Sequence, residues 1–162
     1  MLESEGFEEG VQELADYRSE YRLTSLDPVR RRSAVRLELT FLALVITQMA
    51  HSVEEYHGRL YDVFPPARFL SGLVSSDRER GFVIINATLA AFGLWCWLWP
   101  LRRHWPSAVP LAWAWAGMET VNGIGHPLWS LREGGYTPGV ATAPLLLALA
   151  LYLMLQLRRR SF

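Results

Sequence analysis

Residues 37–57 read LELTFLALVITQMAHSVEEYH. The first part is almost wholly apolar, and the second carries His51, Glu54, Glu55 and His57 with no Gly or Pro to break it. Upstream, Asp27-Pro28 is a helix-start signal, with Asp as N-cap and Pro at the first helical position. One uninterrupted helix over about 28–57 is therefore expected, long enough to cross a hydrocarbon core of about 30 Å. Three more apolar runs follow and predict helices over about 77–99, 107–127 and 138–157. The fold class that results is all-α, an integral membrane four-helix up-down bundle. Between the first two helices, Phe64, Phe69, Leu70, Leu73 and Val74 suit a short interfacial helix after Pro65-Pro66. Ser76 with Glu79 reads as a capping box for the second helix.

The composition narrows the class further. The chain has 162 residues and is 51% hydrophobic, which excludes a disordered polymer. A single Cys, Cys96, excludes a disulfide scaffold and a zinc finger. A formal net charge of zero leaves no electrostatic footprint for nucleic acid. The charge is partitioned: residues 1–27 hold eight acids against two Arg. They are expected to form an acidic cytosolic tail, in which Phe7, Val11, Leu14, Tyr17 and Tyr21 recur at the spacing of a short amphipathic helix. Residues 28–162 are the expected membrane domain. Arg30, Arg31, Arg32, Arg36, Arg102, Arg103, Arg158, Arg159 and Arg160 flank one side of the spans, and Arg59, Arg68, Arg78, Arg80 and Arg132 the other. That asymmetry places both termini in the cytoplasm of a multi-pass cell-membrane protein.

The polar residues of the spans share one depth. His51, Glu54 and Glu55 stand at i, i+3 and i+4, with Gln48 one turn inward. Glu119, Asn122 and His126 line one face of the third helix, and Asn86 lies early in the second. Tyr136, Thr137 and Thr142 flank the start of the fourth. An up-down chain brings all of these to the same half of the bundle. Gln48, Asn86 and Thr142 are adequately explained as interhelical hydrogen bonds. Three Glu and two His are not, because a charge at a helix centre costs roughly 2.5–3.5 kcal/mol on insertion scales. They must pair, protonate, bind a cation or line a wet cavity.

Two imidazoles with carboxylates form an N/O ligand set suited to Zn, Mn or Fe. The metal candidates are His51, Glu55, Glu119 and His126, and Glu54, Glu55 and Asn122 are the catalytic candidates. Glu119 and His126 lie two turns apart, about 10 Å along the axis. A single ion would more easily take His51, Glu55 and one of the two. The expected activity is a metal-dependent enzyme acting on a lipid or apolar small molecule. Metal-free acid/base isomerisation, lipid binding, and a non-enzymatic ion-, proton- or partner-binding role stay open beside it. The expected partners are the lipid bilayer and an apolar small molecule or lipid, with no nucleic acid; a homo-oligomer is left open.

At His51-Ser52-Val53-Glu54-Glu55 the chain resembles the HXXEE-domain family of small bacterial and archaeal membrane proteins. Glu119-Thr120-Val121-Asn122-Gly123-Ile124-Gly125-His126 and Gly135-Tyr136-Thr137-Pro138-Gly139 look like the family's later segments. The resemblance covers roughly residues 36–157. It implies the fold and the site, and no particular reaction.

Overall fold

The structure, a computed structural model, describes residues 28–159. The expected acidic tail and Arg160 lie outside the described residues. These form six α-helices: α1 (Pro28–His57), α2 (Leu60–Val63), α3 (Pro65–Val74), α4 (Arg78–Cys96), α5 (Ala108–Glu133) and α6 (Ala143–Arg158). The start of α1, through Arg36, belongs to a unit of its own; the architecture below is that of the unit beginning at Leu37.

Side-chain pairs give the helix directions. Phe41 packs edge-on against Trp115 and Glu55 meets His126, so α1 and α5 run parallel. Gln156 bonds to Thr40 while Thr142 bonds to His51, so α6 is antiparallel to α1. Ser52 bonds to Asn86, and Gly93 faces Val45, so α4 is antiparallel as well. The four long helices thus alternate up and down. Their interior is apolar at one end, where Phe41, Leu44, Val45, Trp115, Leu146 and Leu153 are buried. The buried polar residues Gln48, His51, Glu55, Glu119 and His126 lie toward the other end. Two stretches, Arg31–His57 and Arg78–Leu101, are long and apolar enough to cross a membrane, and α6 is apolar but shorter.

Several boundaries differ from the sequence pattern, each for a local reason. The cap of α4 is Asp77, whose carboxylate accepts from the Arg80 backbone N–H at 3.3 Å; Ser76 does not form the expected box. Glu79 is instead engaged by the Tyr56 hydroxyl at 2.6 Å. After Cys96 the chain widens into a π-helical turn, Trp97–Leu101, that accommodates Pro100. Helix α5 runs past its expected end at Pro127 to Glu133. Pro127 removes one donor, the one Gly123 would accept, and the helix resumes because Trp129 beyond it packs on Phe64. Gly134, at φ 70°, then closes the helix in the left-handed conformation. Helix α6 begins at Ala143 rather than Pro138, because the backbone N–H groups of residues 139, 141 and 142 are drawn to Glu54.

Helices α5 and α6 touch closely at Gly123, where an added Cβ would stand 2.6 Å from Leu147 Cβ and 2.9 Å from its backbone nitrogen. An added Cβ at Gly125 would meet nothing within 4 Å. Gly123→Ala should destabilise the protein by about 1–3 kcal/mol, as overpacking does. Gly125→Ala should be neutral or mildly stabilising. Thermal unfolding in detergent of the two single variants checks the contrast.

Candidate metal centre

The HxxEE stretch occupies the last turns of α1. At about 100° per residue, Glu54 is turned about 60° to one side of His51 and Glu55 about 40° to the other. The two adjacent carboxylates therefore meet different neighbours.

Glu54 faces the segment that leads into α6. Its Oε1 accepts from the Tyr136 hydroxyl at 2.7 Å, from Gly139 N–H at 3.1 Å and from Ala141 N–H at 3.0 Å. Its Oε2 accepts from Thr142 N–H at 2.9 Å and from the Thr142 hydroxyl at 2.6 Å. A carboxylate has about four lone-pair sites, so these donors saturate it as an ionised acceptor. The Tyr136 phenol is held above its ordinary pKa because its hydroxyl donates a hydrogen bond to Glu54, whose charge also opposes a second negative charge.

Glu55 faces inward. Its Oε1 lies 3.1 Å from His126 Nε2 and 3.4 Å from His51 Nε2, and the two rings meet edge-on with centroids 4.7 Å apart. His51 is 0% exposed, Glu55 7% and His126 8%. The ligand atoms of the three lie within 4.8 Å of one another. This buried group could hold a metal ion.

Proton counting assigns the tautomers. His126 Nδ1 lies 2.7 Å from the Pro138 carbonyl, which only accepts, so Nδ1 carries the hydrogen. His51 Nδ1 lies 2.7 Å from the Thr142 hydroxyl. That hydroxyl has one hydrogen and gives it to Glu54, so His51 Nδ1 must be the donor. In their neutral forms both rings therefore present a bare Nε2 lone pair toward Glu55, and His51 Nε2 has no hydrogen-bond partner. An orphaned buried acceptor of this kind costs about 1–3 kcal/mol unless something occupies it.

Gly139 makes room for the pair. It takes φ 90°, and a Cβ there would fall 2.6 Å from His126 Nδ1 and 2.8 Å from His51 Cε1. Only glycine meets both the backbone and the steric demand. Its role was missed in the sequence, where Gly139 stood only within the segment leading into the expected fourth helix; its place directly after Pro138 was the available signal.

The remaining candidates sit beside this group. Glu119 is 0% exposed and is not among the three clustered ligands. Asn122 Nδ2 donates to Glu119 Oε2 at 3.2 Å, and the Gln48 amide, turned so that its nitrogen faces the carboxylate, donates at 2.7 Å. Asn86 accepts from Ser52 at 2.7 Å. His57 is exposed and bonded to the Val53 carbonyl, away from the cluster.

A family model described as "Protein of unknown function with HXXEE motif" matches residues 42–153. The chain belongs to the HXXEE family. The naming motif of that family is here the His51, Glu54 and Glu55 whose contacts are given above. No curated protein and no solved structure matched the chain.

Replacing Glu54 by Gln puts an amide where only donors converge and should lower stability by about 2–4 kcal/mol. Hydrogen exchange should quicken first at the amides of Gly139, Ala141 and Thr142. Tyr136→Phe, which removes one donor of five, should cost about 1 kcal/mol.

Proposed function

We propose that this HXXEE protein binds a divalent metal through His51 Nε2, His126 Nε2 and Glu55. In this reading it is a membrane enzyme that uses the ion on an apolar or lipid substrate. The carrying observation is the pair of imidazoles whose Nδ1–H groups are spent on Thr142 and Pro138, leaving two Nε2 lone pairs converging on one carboxylate oxygen. Such outward hydrogen bonds orient metal-ligating histidines and raise their basicity. Tetrahedral ligands at about 2.0–2.1 Å from an ion stand about 3.3 Å apart, close to the 3.1 and 3.4 Å between Glu55 Oε1 and the two Nε2 atoms.

Two His and one Glu form the donor set of catalytic zinc sites that keep a position open for water or substrate. An ion held there would supply Lewis acidity. Glu119 and Asn122 would take part from the adjoining layer, Glu119 as proton acceptor and Asn122 as the group that orients it. Glu54 would act through Thr142 by holding the His51 ring. The membrane setting is supported by the two long apolar stretches and by Leu39, Ile46, Val53, Val121, Leu128 and Leu155, which face outward. The nine-to-five distribution of flanking Arg favours cytoplasmic termini, which puts the metal centre toward the outer face.

One observation favours a metal-free alternative. His126 Nε2 and Glu55 Oε1, 3.1 Å apart, would form an imidazolium–carboxylate pair if His126 were protonated. That pair could move protons on an apolar substrate without an ion.

Elemental mass spectrometry of detergent-purified protein separates the two. Wild type should carry near-stoichiometric Zn, Mn or Fe. The variants His51→Ala, His126→Ala and Glu55→Gln should lose it while staying folded by circular dichroism. Gly139→Ala, which changes no ligand, should also lose most of it. A folded wild type that takes up no ion after reloading leaves the proton-transfer reading in its place.

A further inference from the structure

A cleft of about 780 Å³ opens beside the candidate metal centre and is lined mostly by residues that the metal reading leaves unused. Its wall is apolar: the Phe64 and Trp129 rings pack at a tilt with centroids 4.9 Å apart, and Pro65, Pro66 and Pro138 continue the surface. Its rim carries Arg132 and Glu133, charges of opposite sign. Neither forms an ion pair among the described residues. Consecutive helical residues do not face one another, so the two charges do not satisfy each other. Within the lining, Thr137 is 4% exposed and its hydroxyl has no hydrogen-bond partner.

The cleft shares two walls with the metal centre. The Pro138 carbonyl accepts from His126, and the Trp129 ring meets the His126 ring edge-on at 6.3 Å. A molecule in the cleft would therefore lie one residue layer from a metal ligand.

We infer that this cleft binds an amphiphile with a zwitterionic head. The apolar chain lies on the Phe64–Trp129–proline wall, the anionic group meets Arg132 and offers an oxygen to the Thr137 hydroxyl, and the cationic group meets Glu133. An aromatic and proline wall alone would take any apolar chain. The unpaired rim charges and the orphaned hydroxyl select a head with both signs and an oxygen acceptor. Binding at this cleft stands on these residues alone. That the bound amphiphile is the substrate rests on the metal reading above.

The test is calorimetric titration of full-length protein in maltoside micelles with dodecyl phosphoethanolamine, dodecyl phosphate and dodecylamine. Metal content is measured on the same samples. The zwitterion should bind saturably and more tightly than either singly charged probe. Arg132→Gln and Glu133→Gln should each weaken it about fivefold, the scale of an exposed ion pair, and remove its advantage. Thr137→Val, close in shape, should weaken binding without loss of stability; a merely structural hydroxyl would leave binding unchanged. Co-purifying diacyl phosphatidylethanolamine would mark the bilayer as the source, whereas its absence beside a single-chain probe that binds would mark a free amphiphile. The proposal is overturned if no probe binds saturably, or if the zwitterion's advantage survives both rim substitutions. Probe binding without metal would sink the substrate role alone, and metal without probe binding would sink the cleft alone.

Discussion

The Glu54 carboxylate gathers five donors from the seven residues that precede α6. A charge in this setting is costly unless its lone pairs are filled, and this one is filled largely by backbone N–H groups. In filling them, the chain gives up a turn of helix between Pro138 and Thr142 and winds around the end of α1. The arrangement of the candidate metal centre follows from that winding. Thr142 is placed to receive the Nδ1–H of His51, the Pro138 carbonyl to receive that of His126, and Gly139 to lie against both rings without a side chain.

The division of labour between the two glutamates is a matter of helix geometry. Consecutive residues on a helix point about 100° apart, so one carboxylate of the motif binds the loop and the other faces the imidazoles. Glu54 is bound by neutral donors and fixes positions. Glu55 has the two Nε2 atoms as its nearest inward neighbours, and between neutral rings and a carboxylate there is no hydrogen to share. Three converging acceptors repel one another, and a cation or a proton is what relieves them. The metal and acid/base readings are two answers to the same local imbalance.

Much of this could be read from the residues in order. The apolar runs and the Pro28 start gave four long helices, and up-down folding alone brought His51, Glu55, Glu119 and His126 toward one end. The two-turn separation of Glu119 from His126 already argued that one ion would not take both. What the spacing could not show was tertiary. Face sharing at i, i+3 and i+4 joined Glu54 to Glu55, while the neighbours that part them come from 82 to 88 residues further on. Gly139 drew no role of its own along the chain because its constraint is the two rings across from it. Pro127 looked like a helix end because the packing of Trp129 that carries α5 onward is invisible along the chain. Ser76 and Asp77 are adjacent cap residues, and only the backbone conformation of Asp77 decides between them.

Outward hydrogen bonds hold both imidazoles with Nδ1 protonated and Nε2 bare. Nitrogen-15 NMR of histidine-labelled, metal-stripped protein at mildly alkaline pH tests it most directly, since the chain has four His to assign. Nδ1–H signals are expected for His51 and His126, with both Nε2 atoms unprotonated and shifting when metal is added. An Nε2–H signal from either ring under those conditions would contradict it, because that ring could not then offer a lone pair to an ion beside Glu55.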